Sequence, residues 1–470
     1  MSLASTDSER APGLSLHLAE HIARCAPDAL PERTLRAAKR AILDGIGVML
    51  AASGASEDVR PFIELVRAAG TRAEATVLGC DLRVSAGDAA LANGAMAHAL
   101  DFEDAFDPAP VHPDASLLPV ALALAESHAP CSGREFLSAV ALGCDLVCRM
   151  SLSLRRPLEE GGWYPPPILG AWGATAAAAR LLRLTPTQMC DAWSLLLCQN
   201  SCAGEIKYSA ETTLRAVREA FPAQAALQSA LLAAHGVRGF AAPLEGRSAF
   251  YRLFAGGEFD PRDLTEDLGS RFWIEALSFK KWPSCRGTHA YIEAVQQLKQ
   301  AHRFTLEDIA AISLAGGEVQ RMLVEPLAQK RAPRTLIDAK FSLPFTVALA
   351  LAAPEVTLDG FTPQALHDRE LLALAARTEF IVRPDWGRSR AAAGELTLRL
   401  RDGRVLSMQI EQALGEPARP LADQELRDKF IDCAARAAVP VPAGNARQYV
   451  DRVFALEREG DAAAALLSFA

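Results

Sequence analysis

The chemistry-bearing residues in this chain gather first at Asp101-Phe102-Glu103-Asp104, followed through a Pro-rich stretch by His112-Pro113. Carboxylates and an imidazole brought together can remove a proton from a carbon beside a carboxylate or carbonyl and return it. Pro113 suits the first turn of a helix. His112 is therefore expected beside a helix N-terminus, where free N–H groups and the positive dipole end favour an anion. The competing reading has Asp101, Glu103 and Asp104 capping a helix or facing water, with His112 a satisfied loop histidine, because acid clusters are commonly solvated faces.

A second segment, Lys280-Lys281-Trp282-Pro283-Ser284-Cys285-Arg286-Gly287-Thr288-His289, is basic. Lys280, Lys281, Arg286 and His289 on a turn fixed by Pro and Gly suit a carboxylate clamp at a domain boundary, Arg as a fork and Lys as a point charge. The alternative is a basic turn that only joins two domains. Ser284 or Thr288 is expected to cap a helix from about His289 to Ala301. Cys285 near a histidine is a weak nucleophile signal. A third segment, Thr213 to Phe221, places Arg215 and Arg218 at i,i+3 on one face of an expected helix, where a solvated face competes with an anion site. Lys207 and Tyr208 are equally open. The sequence has no Gly-rich nucleotide fingerprint, Walker motif, HExxH or GxSxG elbow, so chemistry without cofactor or metal is expected.

These segments need elements to position them. A helix carrying Asn93, Ala97 and Asp101 on one side is expected to run into the Pro-broken loop. From Leu14 to about Gly246, apolar residues recur at i, i+3 and i+4, as in Arg33 to Leu43 and Gly170 to Leu184. Gly170 to Ala179 is nearly free of charge and belongs either at the centre of the bundle or in a subunit interface; a homodimer is the expected assembly. Beyond Asp260-Pro261-Arg262 strands appear at 308–314, 379–382, 395–401 and 405–410, the last two flanking the hairpin signal Asp402-Gly403. Helical patterns lie at 290–301 and 345–352, and again from Asp423 to Leu467. The fold class is mainly α, a large all-helical bundle domain plus a smaller α+β lid domain.

Half of the 470 residues are hydrophobic but only 6% are aromatic, which favours helices. Lys plus Arg is 49 against 57 for Asp plus Glu, a net charge of -8. No global basic field attracts nucleic acid or anionic lipid, so an anionic substrate must be held by local cations. The ten cysteines are scattered without a CxxC pair and read as free thiols in a reducing compartment. Met1 to Pro12 is polar and acidic, without the apolar core of a signal peptide. The longest apolar run, around Leu117 to Ala125, is shorter than the ~20 residues of a membrane span. A cytoplasmic protein without membrane association is expected.

Taken together, Asn93-Gly94-Ala95 through Asp104 with His112-Pro113, Gly170-Ala171 with Gly173-Ala174, Lys281 to Arg286 with His289, and Asp338-Ala339-Lys340-Phe341-Ser342-Leu343-Pro344 give the chain a resemblance, over nearly its whole length, to the MmgE/PrpD family. That family includes 2-methylcitrate dehydratases, cis-aconitate decarboxylases and iminodisuccinate epimerases. The resemblance implies a helical domain of residues 1–268 and 414–470, to which the C-terminal helices return, a lid of residues 269–413, a dimer, and an active site in the cleft between the domains. It associates Asp101 and His112 with catalysis and the Lys280–His289 turn with the lid face of the cleft. The sequence departs from the family pattern at Ala105, where Thr is common, at Tyr164, where a histidine precedes Pro, and at Arg215 and Arg218, where a Lys and a His stand. Arg cannot act as a base at neutral pH.

The expected function is a cofactor-free lyase acting on a small di- or tricarboxylate. Asp101 or His112 would transfer the proton and Tyr164 would replace the missing histidine as acid. Arg215, Arg218, Lys280, Lys281, Cys285, Arg286 and His289 would form the substrate-binding set, its cations stabilising an enolate-like transition state. The alternatives are an epimerase or isomerase of a dicarboxylate and a non-catalytic carboxylate-binding dimer.

Overall fold

Pro, Ser and Thr start the helices where the sequence places them. The computed structural model describes residues 13–469, so the Met1–Pro12 stretch lies outside the described residues. The helical part runs through α1 (Leu14–Arg24), α2 (Glu32–Ala55), α3 (Arg60–Ala69), a two-stranded hairpin of β1 (Ala75–Thr76) and β2 (Arg83–Val84), α4 (Ala86–His98), α5 (Pro113–Ser127), α6 (Gly133–Ser153), α7 (Pro165–Leu181), α8 (Pro186–Leu197) and α9 (Ala220–Ala234). Capping boxes of Ser132 with Glu135 and Thr185 with Gln188 open α6 and α8. Proline stands in the first turn of α5, α7 and α8.

The charge-free stretch Gly170–Ala179 of α7 is fully enclosed by α5, α6, α8 and α9. Of its two expected places, centre or subunit interface, it takes the centre. Gly173 and Gly143 permit this, because a side chain at Gly173 would strike the Gly143 carbonyl and Val147 of α6. By length and hydropathy α6 could cross a membrane, yet its apolar window is 94% buried within the bundle.

Short helices α10 (Phe250–Ala255) and α11 (Arg262–Thr265) lead to the α+β part. This contains α12 (His289–Ala301), β3 (Ile309–Gly316), α13 (Glu318–Arg321), α14 (Leu327–Arg331), α15 (Leu336–Lys340), α16 (Leu343–Ala352), α17 (Arg369–Ala375), β4 (Thr378–Val382), β5 (Gly394–Leu400) and β6 (Val405–Ile410). The sheet order is β4-β3-β5-β6, with β3 parallel to β4 and antiparallel to β5, and β5–β6 forming the hairpin around Asp402-Gly403. The α12 helix packs on β5, β6 and α16.

The chain closes with α18 (Asp423–Ala435), α19 (Ala443–Phe454) and α20 (Ala462–Leu467). Both α18 and α19 pack on α2, where Lys429 of α18 meets Asp44 at 2.6 Å. The class is therefore mainly α with a smaller α+β domain. The β1–β2 hairpin, only two residues per strand, carried no readable alternation.

Candidate active site

The site begins where α4 stops. The helix ends at His98, one turn earlier than the sequence pattern suggests, so Asp101 is not on it. Asp101 instead sits in a turn with φ +48°, a left-handed conformation that Asp tolerates better than most residues. Its amide donates to the His98 carbonyl at 2.8 Å. The turn sends the Asp101 carboxylate to Lys280, whose Nζ donates to Asp101 Oδ1 at 2.5 Å and lies 3.9 Å from Glu103 Oε1. All three side chains are enclosed.

Glu103 is the hub. Its Oε1 lies 2.5 Å from His98 Nδ1 and 3.0 Å from His112 Nδ1. His112 Nδ1 also lies 2.7 Å from the Asp104 carbonyl. Two acceptors at Nδ1 mean that this nitrogen carries the proton, leaving Nε2 as the ring atom free to exchange one. As expected, α5 starts at Pro113 directly after His112, whose side chain makes no helix cap. It is 15% exposed, and it opens into the cleft.

Burial opposes charge on Glu103, but His98, Lys280 and His112 outweigh it and hold the carboxyl well below its usual range. Asp101 is likewise held low against its burial, chiefly by Lys280. Lys280 is buried too, yet Asp101 and Glu103 keep it charged and raise it. Burial, helped by Arg218, pushes His98 down to about 4. His98 Nδ1 meets Glu103 and orients it.

Ligand atoms of His98, Asp101, Glu103 and His112 lie within 4.8 Å of one another, a spacing a metal ion could use. The Lys280 ammonium already sits on both carboxylates, and both Nδ1 atoms face Glu103. The donors are committed to a cation supplied by the chain itself, so they do not fit a metal.

Behind this layer lies an acidic one that the sequence did not reveal. Asp104 accepts from the Asp114 amide at 3.4 Å. Burial, then Asp114 and Glu103, raises Asp104 well above the carboxylate range; burial, then Asp44 and Glu103, lifts Asp114 to about 8. Lys429 ties this layer to the first, donating to the Phe102 carbonyl at 2.7 Å and the Lys280 carbonyl at 3.0 Å.

Arg215 and Arg218 are not on a helix. They lie in irregular turns before α9, and both are buried rather than solvated. Arg218 donates to Glu219 at 2.8 Å and to the Tyr164 hydroxyl oxygen at 2.8 Å, while Ser116 donates to Glu219 from the other side. This cluster is brought to the end of α4 by Gly94, where any side chain would meet the Glu219 carbonyl at 2.7 Å. Arg215 differs: its guanidinium carbon is 3.3 Å from the centre of the Phe341 ring, and Nε and one terminal nitrogen have no hydrogen-bond partner among the described residues.

The basic turn divides. Lys280 faces the acids, whereas its neighbour Lys281 pairs with Glu425 at 3.0 Å and does not line the cleft. This corrects the substrate-binding expectation for Lys281. Ser278 bridges Ala105, and the chain bends from Lys281 onward, so the two lysines meet different partners. Arg286 lines the cleft but is occupied by Asp107 at 3.0 Å and the Leu414 and Ala413 carbonyls. His289 is enclosed beside Arg286 and the Ser284 carbonyl, and is corrected from ligand to buttress. Burial, then Arg286, holds it well below its usual range. Cys285 lines the cleft, but burial and Asp101 push its thiol up to about 11, so it is no ready nucleophile. The α12 helix starts at His289 as expected, but Ser284 and Thr288 bond each other instead of capping it.

The cleft, about 480 Å³, lies between the helical and α+β parts. His112, Tyr164, Lys207, Cys285 and Phe341 line it together. A second hollow of about 470 Å³ lies between the C-terminal ends of α1 and α7 and contains none of these residues; its Arg180 caps α1 through the Ile22 and Cys25 carbonyls. Sequence reasoning missed Lys340, whose buried amine donates to the Pro283 carbonyl at 2.9 Å and is pushed down to about 7 by burial. It lay inside the Asp338–Pro344 motif without a role.

A helical part and a sheet-containing part thus enclose a cleft that a buried acid–histidine–lysine cluster reaches through His112. The chain belongs to the MmgE/PrpD family: the MmgE/PrpD N-terminal domain matches residues 16–262 and the MmgE/PrpD C-terminal domain matches residues 282–453. It is 25% identical over 481 residues to a cis-aconitate decarboxylase-like protein of Aspergillus oryzae, covering 97% of each chain. It is 26% identical to the cis-aconitate decarboxylase of Mus musculus, covering 85% of this chain and 82% of that one. To the cis-aconitate decarboxylase of Aspergillus terreus it is 23% identical, with 98% and 96% covered.

Proposed function

We propose that this protein is a lyase acting on a tricarboxylate by proton transfer beside a carboxylate, with loss of CO₂ as the leading reaction and loss of water as the alternative. The observation that carries this reading is His112. Its Nδ1 is fixed by Glu103 and the Asp104 carbonyl, and it opens into a cleft whose Phe341 wall backs the unpaired Arg215. The decarboxylase names of the relatives support the CO₂ reading.

In this mechanism Lys207, which lines the cleft beside Glu159, supplies a cation at its wall. Arg215, which lies behind Phe341 and not on the lining, takes a substrate carboxylate when that ring gives way, the fork its guanidinium is built to make. In decarboxylation the bond to the departing carboxylate breaks, its electron pair enters the adjacent unsaturated system, and protonated His112 delivers a proton to carbon as CO₂ leaves. In dehydration neutral His112 removes the proton from carbon, and the hydroxyl leaves with a proton from Tyr164. Arg218 donates to the Tyr164 oxygen, which leaves the phenolic hydrogen free to point at a leaving group. Glu103 stabilises the imidazolium in either case, and Lys280 balances Asp101 and Glu103, so neither carboxylate acts as the base.

The test is turnover of a panel of tricarboxylates in D₂O, followed by NMR. CO₂ release with one deuteron in the product supports decarboxylation, and loss of water supports dehydration. Deuterium entering unchanged substrate would replace the lyase reading by epimerisation. His112→Gln is expected to lower turnover by about 10²- to 10⁴-fold; turnover at the wild-type rate removes His112 from the mechanism.

A further inference from the structure

The charged side chains that line the cleft are paired, with one exception. Asp107 holds Arg286 at 3.0 Å, Glu318 holds Arg321 at 2.9 Å, and Glu159 lies 3.6 Å from Lys207. Arg388 lines the cleft as well, and among the described residues no carboxylate pairs with it. It stands on the segment between β4 and β5, in the α+β part, while Lys207 comes from the helical part. Burial lowers the Lys207 ammonium; Glu159 opposes this, and the charges of Arg215 and Arg388 add to it. Three cations thus act around one carboxylate. Like charges held close repel, and an anion placed among them reverses the sign of that energy.

The backbone on both sides of Arg388 is anchored, which fixes where its side chain starts. Gln320, itself buried, donates through its side-chain amide to the carbonyls of Arg390, Ala391 and Ala393 at 3.2, 2.8 and 3.0 Å. On the other flank Trp386 is buried against Gly317, where any side chain would strike the Trp386 carbonyl. The second arginine of the segment is used by the fold: Arg390 pairs with Glu411 and stacks on Trp386, its guanidinium carbon 4.0 Å from the ring centre. Arg388 has no such employment. A smaller hollow of about 210 Å³ adjoins the cleft and shares Pro110, Pro157, Glu159, Pro165 and Arg388 with it. His112 lines the cleft and not the hollow, so Arg388 stands at their junction and the histidine does not.

We infer that Arg388 is a specificity-determining residue, which binds a substrate carboxylate that takes no part in the bond changes at His112 and joins it, from the α+β side, to Lys207 on the helical side. The planar guanidinium accepts such a group through two parallel bonds. A substrate without that carboxylate leaves the two cations facing each other unneutralised, which discriminates against it. The inference rests on the lyase reading for the presence of an anion in the cleft, and on the lining for the residue that takes it.

Isothermal titration of the full-length protein with two acids that differ by one carboxylate, propane-1,2,3-tricarboxylate and methylsuccinate, tests the assignment. The wild type is expected to prefer the tricarboxylate. Arg388→Gln is expected to weaken tricarboxylate binding by about 10- to 100-fold, the range for a hydrogen bond to a charged group, and to leave methylsuccinate binding nearly unchanged. Arg388→Lys is expected to restore part of the preference. Arg388 is exposed, so Tm of the ligand-free variants is expected to hold. If Arg388→Gln leaves the ratio of the two affinities intact, whether by changing neither or by weakening both equally, the assignment of Arg388 is overturned while the lyase reading stands. If the wild type binds neither acid, both are overturned.

Discussion

The Arg215 guanidinium carbon lies over Phe341, 3.3 Å from the ring centre, and among the described residues no carboxylate pairs with it. Its neighbour Arg218 has Glu219 at 2.8 Å. Two buried arginines close in sequence therefore have opposite status: one is held by a carboxylate, and the other has no carboxylate partner among the described residues.

Arg215→Met is expected to weaken tricarboxylate binding by about 30- to 1,000-fold, the ~2–4 kcal/mol typical of truncating one partner of a buried charged pair. The same change removes an uncompensated charge from the interior, so Tm of the ligand-free protein is expected to hold or rise. Titration calorimetry and thermal melts check the two halves. Lost stability together with unchanged binding would show that Arg215 serves only the fold.

Lys280→Met strands Asp101 and Glu103 without their cation in an enclosed site. The expected loss is about 3–5 kcal/mol, as for breaking any buried ion pair from one side. Asp101→Asn is expected to cost less, because Lys280 keeps Glu103 nearby. Chemical denaturation of the two variants supplies the comparison, and equal stabilities would contradict the arrangement described.

Asp114 provides a pH test. Its carboxyl is raised from 3.8 to about 8, so the native state holds a proton that the unfolded chain releases. The stability contributed by this proton is full below about pH 4 and is lost as pH rises towards 8, at up to ~1.4 kcal/mol per pH unit. Asp114→Asn, which cannot ionise, is therefore expected to gain on the wild type between pH 5 and pH 8. A stability difference that stays flat across this range would mean that Asp114 titrates normally.

Gly94→Ala is expected to cost ~1–3 kcal/mol, the usual range for overpacking. Its new methyl group meets the Glu219 carbonyl at 2.7 Å and the Ala220 Cα at 3.0 Å, and backbone there cannot swing aside. Because Glu219 orients Arg218, and Arg218 orients Tyr164, turnover is expected to fall further than stability alone explains. Measuring kcat at a temperature well below the variant's Tm separates the two effects.

Local chemistry made much of this legible. Pro113 marked the start of α5, Asp402-Gly403 marked the β5–β6 hairpin, and the charge-free run in α7 marked a helix buried on all sides, without choosing between the bundle centre and a subunit interface. The missed features depend on distance or on backbone geometry. Lys280 finds Asp101 from 179 residues away, and no local pattern encodes such a meeting. Asp101 left the helix because a left-handed turn interrupts it, and nothing about an Asp after Ala99-Leu100 announces one. Arg215 and Arg218 were placed on a helix by i,i+3 spacing alone. Pro222, which stands in the first turn of α9, was the available sign that the helix starts later. Lys281 was grouped with Lys280 by composition, where the bend that begins at Lys281 takes it to Glu425 instead of the acids.

The Asp101–Lys280 pair joins two regions that differ in architecture, a helix-bundle loop and the approach to the sheet-bearing part. Lys429 on α18 fastens both sides through the Phe102 and Lys280 carbonyls. Separating the two parts would expose an ammonium, two carboxylates and two carbonyls at a seam built to exclude water. Heat or denaturant must then dismantle both parts together. In a calorimeter this chain should show one unfolding peak whose van't Hoff enthalpy approaches the measured enthalpy, although a protein with two architectures would ordinarily be expected to melt in stages.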